Sequence, residues 1–485
     1  MADNTELPNG FTGFAFRKQP GTESAADAIR EREAQRAAHA GRPAPVQPAP
    51  RRGANSYLTD REAAADAANE VRGAFQYNRD HEEAAAAVDA AEGHVEFDPE
   101  KLATIPEKDR RWAWLEIDLN AIRHNASAVK KMIGSGRHMM AVVKADAYGH
   151  GAVRVAKTAL NSGADYLGVA TVDEGIQLRE GLVNAPILML AEPPASAIPL
   201  LLAYKIMPAV YSSEFAIKYA EAADSMGLRA PFHLAVNTGM NRIGVRWDEV
   251  VTFMHQVGFH RALELEGVFT HFATADCPET LDFQIQAKRY IEAIEALRAA
   301  GINPGIVHCA NSAAAIRYPD VRFDMVRLGI GLYGYQPCPE TTPLIELKPA
   351  MSVHARITDT RLVPMSEGVS YGLNYRSPGS VKICTVPVGY GDGLRRGLSG
   401  RTDFLVDGVR CRQVGNICMD QCMFEVDLRS YARRRRIDPQ VGDEVLIVGQ
   451  QGDAMVTIEE MCDTLGTIPH ELCIAFAHRM PRYYV

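Results

Sequence analysis

The chain has 485 residues, 47% hydrophobic and 23% charged, the composition of a folded globular protein large enough for two or three cores. A net charge of −8 with no dominant basic block argues against nucleic acid or an anionic membrane as the main partner. Nine cysteines, an odd count with no C-x-x-C pair, fit reduced intracellular thiols. The start "MADNTELPNGFTGF" lacks the basic and apolar regions of an export signal, and the apolar stretch 185–204 is interrupted by Glu192, Pro193 and Pro194. A cytoplasmic protein without a membrane span is the expectation.

Residues 1–110 are rich in Ala, Arg, Asp and Glu, poor in large apolar side chains, and include the proline-rich "GRPAPVQPAP" (41–50). Such a segment buries too little surface to offset chain ordering, so it reads as a mobile extension, with helices possible over 23–40 and 58–75. From Trp112 the pattern changes. Strand-like runs alternate with helix-like ones: "MMAVVK", "DYLGVA", "PILML", "IMPAVY", "FHLAVN", "LEGVFTHF", "GIVHCAN" and "MVRLGIGLYG". Eight such runs over 111–346 predict an α/β fold, a (β/α)8 barrel. A doubly wound open sheet is the alternative, but no glycine-rich dinucleotide turn follows the first run. Residues 347–485 switch to short strands between Gly, Pro and Asp turns, predicting a mostly antiparallel β domain, which "WLEIDL" (114–119) would join.

In a barrel of this type chemistry sits at the carboxyl ends of the strands. The polar residues that follow the apolar runs are Lys144 and Tyr148, Asn237 and Arg242, His271, Asn311 and Ser312, and Arg327 with Gly329 and Ile330. Each has an ordinary explanation by itself; His271 alone is a hydrogen-bonded core histidine. Together, at five strand ends, they describe a cationic cup with an amine at its floor. An anionic cofactor bearing an aldehyde would use every part. Burial and nearby cations favour a neutral, nucleophilic lysine, while hydroxyls and backbone amides near glycine hold a phosphate. Pyridoxal 5′-phosphate is the expected cofactor, and no metal is expected.

"AVVKADAYGHG" (141–151), "NTGMNRIGV" (237–245), "THFATAD" (270–276), "HCANSAA" (308–314), "MVRLGIGLYG" (325–334), "VSYGLNY" (369–375), "VPVGYGDG" (386–393) and "GNICMDQCM" (415–423) resemble, in order, the blocks of the alanine racemase family. The likeness runs from about Trp112 to Val485. It implies that Lys144 condenses with the cofactor aldehyde and is the base on the D face. Tyr371 would be the opposite base, from the second subunit of a homodimer with shared sites. His271 would bridge Tyr371 and Arg327, and Arg327 would face the pyridine nitrogen. Tyr148, Asn311, Ser312, Gly329, Ile330 and His470 would bind the cofactor. Arg242 and the backbone of Met419 would take the substrate carboxylate, with Asp420 supporting the tyrosine side. A guanidinium only donates and stays charged, so it would leave the pyridine nitrogen unprotonated and weaken the ring as an electron sink.

Two positions depart from the family pattern. A lysine usual near the "DTGM" motif is missing, where Ala235 and Asn237 stand, so Asn237 or a bound anion such as chloride is expected to orient Arg242. His470 in "TIPHEL" stands where the family usually has tyrosine. Both departures keep a broad-range amino-acid racemase of the same fold as the alternative. A non-catalytic pyridoxal-phosphate homeostasis protein is the weaker one, since it would lack the second domain and its "SYG" and "CMD" blocks. D-Alanine for peptidoglycan is the biological use that the resemblance implies.

Overall fold

The computed structural model describes residues 110–426, 437–477 and 479–485. All but the last residue of the segment read as an extension over 1–110, including the stretches 23–40 and 58–75, lies outside the described residues.

The first strand, β1 (Ala113–Ile117), precedes the barrel. The barrel strands are β2 (His138–Val142), β3 (Tyr166–Val169), β4 (Ile187–Met189), β5 (Ile206–Val210), β6 (Ala230–Asn237), β8 (Leu263–Phe269), β9 (Ile306–His308) and β10 (Met325–Leu328), with the short β7 (Val245–Arg246) beside β6. They lie parallel in the order β10-β2-β3-β4-β5-β6-β8-β9. The ring closes at the last seam through backbone bonds from Asp324 to Val307 (3.0 Å) and from Arg327 to Ala310 (2.9 Å). All eight expected runs form strands. The run 325–334 is shorter than its apolar length suggests, because Gly329 departs from strand geometry and a 3-10 turn takes Ile330–Tyr333.

Side chains point inward at every second residue. On β10 the inward series is Met325 then Arg327; on β9 it is Ile306 then His308; on β2 it is Met140, Val142 and then Lys144 beyond the strand end. Met140, Leu188, Met207 and Met325 pack as an apolar floor inside the barrel, while the outward Val326, Leu328, Val268 and Val307 join the core shared with the helices.

The remaining strands are β11 (Met351–Arg356), β12 (Asp359–Val363), β13 (Gly368–Val369), β14 (Tyr375–Arg376), β15 (Val381–Val386), β16 (Asp403–Val406), β17 (Val409–Val414), β18 (Cys422–Val426), β19 (Glu444–Gln451), β20 (Ala454–Val456) and β21 (Arg482–Tyr484). Most join one sheet in the order β12-β15-β18-β17-β16-β19-β11-β1-β21, and β13 pairs with β14. Its pairs are antiparallel except β1 with β21. β1 therefore belongs to this second sheet, held between β11 and the last strand of the chain. The helices Ile458–Leu465 and Pro469–Phe476 bring His470 back to the barrel mouth.

Asn125, on the helix Leu119–Ile133, fastens the passage from barrel to second sheet. Fully buried, it donates to the carbonyls of Leu332 (3.1 Å) and Lys348 (2.9 Å) and accepts from the Lys348 amide (2.8 Å). Asn125→Ala strands these backbone groups without partners, and buried unsatisfied groups cost about 1–3 kcal/mol each. Chemical denaturation should show a loss of about 3 kcal/mol; a change below about 0.5 kcal/mol, the usual range for surface substitutions, would refute the fastening role.

Candidate active site

One step above the apolar floor, the same inward positions carry a polar layer. Arg327 is 3% exposed, and His233 and His308 are fully buried. A buried guanidinium requires acceptors for its N–H groups. Arg327 donates to the carbonyls of Thr270 (2.8 Å), Cys309 (3.2 Å) and His308 (3.3 Å). It also bonds His308 Nδ1 (3.1 Å) and His271 Nδ1 (3.0 Å), and lies over the face of Phe269.

Those bonds fix three tautomers. Guanidinium cannot accept, so Nδ1 of His271 and of His308 must be bare and each proton sits on Nε2. His308 Nε2 then donates to His233 Nδ1 (2.9 Å), leaving the His233 proton on its own Nε2. Burial, reinforced by Arg327, pulls His233 down to about 3. Burial, then Arg327, Arg242 and Lys144, pull His271 down to about 3. Burial, then His233 and Arg327, hold His308 well below its ordinary value. All three imidazoles are neutral at physiological pH, whereas Arg327, lowered by burial only to about 10, stays charged.

Above this layer opens a cavity of about 560 Å³. Lys144, Tyr148, Asn237, Arg242 and His271 line it from β2, β6 and β8. Asn311, Ser312, Arg327, Gly329 and Ile330 line it from β9 and β10, and His470 closes one side. Burial first, then Arg242, lower the Lys144 ammonium from its ordinary 10.5; Glu174 opposes the shift and Arg327 adds to it.

Lys144 heads an unusual turn. Ala145, Asp146, Ala147 and Tyr148 have φ of 52°, 50°, 54° and 52°, a left-handed helical turn without glycine. Each such residue costs about 1–2 kcal/mol, so the turn exists only because its surroundings hold it. Glu174 supplies one tie. Its Oε2 accepts from the Ala170 and Thr171 amides, capping the helix Val172–Glu180, while its Oε1 accepts from the Ala145 amide at 2.7 Å. The turn lays Tyr148 against Tyr333 and aims its hydroxyl at the far end of the cavity. Burial pushes that phenol up to about 12, so it remains a donor.

At that end the amides of Gly329 (2.9 Å) and Gly331 (3.3 Å) donate to Ser312 Oγ, leaving the Ser312 proton free to donate elsewhere. A Cβ on Gly329 would lie 3.1 Å from the Tyr148 hydroxyl and 3.8 Å from Ser312 Oγ, inside this cradle. Two hydroxyls around a glycine backbone suit a phosphate. A lowered lysine suits an aldehyde, and a fixed guanidinium suits a ring nitrogen. The residues present therefore fit pyridoxal 5′-phosphate.

Several expected residues sit elsewhere. Tyr371 is 74% exposed and Met419 54% exposed; neither they nor Asp420 line the cavity of their own chain. Tyr371 rides a turn with left-handed Ser370, Gly372 and Leu373, held by Asn416 Nδ2 on the Tyr371 carbonyl (2.7 Å) and by Ser370 Oγ on the Asn416 carbonyl (2.6 Å). Asp420 pairs with Arg479, which also binds the buried Asp392 (2.6 Å). Asn237 needs correction. Its Oδ1 accepts from the Gly239 and Asn241 amides (3.1 Å each) and its Nδ2 donates to Asn241 (3.0 Å), so the side chain braces its own loop and is not bonded to Arg242. Sequence reasoning missed His233, His308, Glu174 and Asn416. His308 was legible, since it stands two places beyond Ile306 on an inward face; Glu174 is marked only as the end of a T-x-x-E capping box from Thr171, and neither its tie to the Ala145 amide nor that of Asn416 to the Tyr371 carbonyl shows in the sequence.

A lysine at the end of the first barrel strand, a phosphate cradle and a guanidinium floor define a pyridoxal-phosphate-dependent enzyme of the barrel type. Residues 117–337 match the family described as alanine racemase, N-terminal domain, and residues 350–484 match alanine racemase, C-terminal domain. The chain belongs to the alanine racemase family, pyridoxal-phosphate enzymes that interconvert L- and D-alanine. It is 41% identical to alanine racemase of Synechocystis sp. over 377 residues, covering 78% of this chain and 100% of that one. With alanine racemase 1 of Bacillus subtilis it is 41% identical over 378 residues, covering 77% and 93%. Among solved structures, alanine racemase from Bacillus anthracis superposes with a TM-score of 0.72 at 36% identity, covering 77% of this chain and 95% of that chain. Histidine racemase from Leuconostoc mesenteroides gives 0.70 at 30%, covering 77% and 98%.

The position of Arg242 is testable through Lys144. Acylation requires the neutral amine, so a lowered pKa moves the midpoint of its pH profile below 10.5. Arg242→Met removes a cation that disfavours the ammonium, and the midpoint should move upward, short of 10.5 because burial remains. Acylation of Lys144 in the cofactor-free protein, followed by peptide mass spectrometry, reads this; a downward shift would contradict the geometry.

Proposed function

We propose that the chain racemises alanine with two bases on opposite faces of the bound substrate, Lys144 of one protomer and Tyr371 of the partner subunit in a homodimer. Two observations carry this reading: His271 bonds Arg327 through Nδ1, which leaves its Nε2–H directed elsewhere, and Tyr371 stands exposed on its own chain. When bound, the cofactor supplies an electron-accepting ring that acidifies the substrate Cα–H. Lys144 would hold it covalently, and Tyr148, Ser312, Gly329 and Ile330, with Asn311 and His470, would hold its phosphate. Arg327, positively charged and unable to accept, would face the ring nitrogen and keep it unprotonated. That moderates the sink and favours prompt return of the proton. Arg242 and the Met419 backbone of the partner subunit would orient the substrate carboxylate; with Asn237 spent in its loop, an anion beside Ala235 is the remaining means of orienting Arg242.

Lys144 then exchanges the proton on the D face. A phenol of ordinary pKa, about 10, is a poor base at neutral pH; the His271 Nε2–H, polarised by Arg327, would donate to the partner's Tyr371 oxygen and favour the phenolate. The exposed Tyr371, Leu373, Tyr390 and Met419 supply apolar surface for such a dimer. No described helix is long and apolar enough to cross a membrane, and the reading places the enzyme in the cytoplasm, supplying D-alanine for peptidoglycan.

Lys144→Ala and Tyr371→Phe should each lower kcat by about 10²–10⁴, the worth of a positioned acid or base. Mixing and reassociating the two variants should restore roughly a quarter of wild-type activity, the statistical share of intact shared sites in a twofold dimer. Full turnover by Tyr371→Phe would end the two-base reading.

A second test addresses breadth. His470 lies tilted against Tyr148 with ring centroids 5.5 Å apart, and its Nδ1 is buried without a partner among the described residues. Burial, then Lys144, lower its pKa, against the pull of Asp276. His470→Tyr should tighten cofactor binding or narrow the preference from serine, lysine and arginine towards alanine, read by cofactor titration and by the ratio of kcat/KM values. Identical values would reduce His470 to a packing role.

A further inference from the structure

The left-handed turn carrying Lys144 is gripped by the last strand of the chain. Asp146, the only charged residue inside the turn, places Oδ1 on the Ala152 amide (2.7 Å) and Oδ2 on Arg482 Nη1. The same Arg482 nitrogen donates to the Gly149 carbonyl (3.1 Å), where the turn ends. Tyr484, two residues on, lays its hydroxyl where a Cβ on Gly151 would fall, 1.9 Å away, and its ring lies against Arg154. β21 is fixed in turn by β1: Leu115 donates to Pro481 (2.8 Å), Val485 to Ile117 (3.0 Å) and Leu119 to Val485 (3.0 Å).

We propose that Arg482 is a positioning residue for Lys144, clamping the left-handed turn through the Asp146 carboxylate and the Gly149 carbonyl so that the amine points into the barrel mouth. The requirement is physical. Ala145–Tyr148 have no intrinsic preference for this hand, and Glu174 ties only the first of them. The Arg482 cation reaches the turn at its middle and at its end, a charge-assisted pair of bonds that a right-handed or extended segment would not place together. Because Lys144 immediately precedes the turn, loosening it lets the amine swing towards water. Its pKa should then climb back towards 10.5, since burial is the main cause of its lowering. The chemical consequence deepens the proposed role of Lys144 and rests on it; the clamp itself does not.

Arg482→Met, Arg482→Lys and Asp146→Asn in the full-length enzyme test the idea by backbone hydrogen exchange. Amides 145–151 should exchange about tenfold faster or more in Arg482→Met and Asp146→Asn, as expected when a local tie is lost, and at an intermediate rate in Arg482→Lys, with β1 and β11 unchanged. In the same full-length variants freed of cofactor, the Lys144 acylation midpoint should rise in the same order. Exchange within about twofold of wild type in Arg482→Met, or acceleration spread equally over β1 and β11, would overturn the proposal. If Arg482→Met does not fold, Asp146→Asn decides alone: it keeps an acceptor for Ala152 and loses the charge pair. Faster exchange without a change in cofactor retention would support the clamp and count against Lys144 as the cofactor-bearing residue.

Discussion

The active centre depends on a guanidinium inside a barrel. Arg327 cannot be buried there unless its N–H groups find acceptors, and the protein supplies backbone carbonyls from two strand ends together with two imidazoles. That demand dictates the tautomers of His271 and His308 and, through His308, of His233. It also sets the cavity floor, because a positive charge held in place by five acceptors has a fixed face to present. The apolar methionines one step below keep water from competing for those acceptors.

At the mouth above the neighbouring strand, β2, the constraint is conformational. Lys144 and Tyr148 bracket a turn of the disfavoured hand, and its distortion is offset by groups from distant parts of the chain: Glu174 from the helix Val172–Glu180 and Arg482 from the last strand. The site thus joins a rigid electrostatic floor to a strained rim. The rim sets where the amine stands, and the floor sets the field in which it works. The proposed phenol base arrives from neither, which leaves Tyr371 on a braced, solvent-facing turn of the second sheet.

Much of this was legible in the chain itself. The eight barrel runs are readable because each is short, apolar and bounded by turn residues, and the residues after them converge once the barrel is inferred. The alternation Met325–Arg327 and Ile306–His308 even encodes the order of apolar floor and polar layer, although His308 draws attention only when Arg327 needs an acceptor. The left-handed turn was not readable. Alanine, aspartate and tyrosine carry no strong signal for that hand, and the residue that holds Asp146 lies 336 positions away. Asn237 misled for a related reason. A polar residue beside an arginine suggests a pair, but a short amide two residues from a glycine turn finds its own backbone first.

The imidazole row has one further effect. It runs from Arg327 to a final N–H, on His233, that meets no acceptor among the described residues. Mild acid that would charge ordinary histidines leaves these untouched, and the electrostatic setting of the barrel floor is insulated from swings in the surrounding medium. On the proposed mechanism, the pH sensitivity of turnover arises at the rim, where the amine and the partner's phenol would meet the substrate.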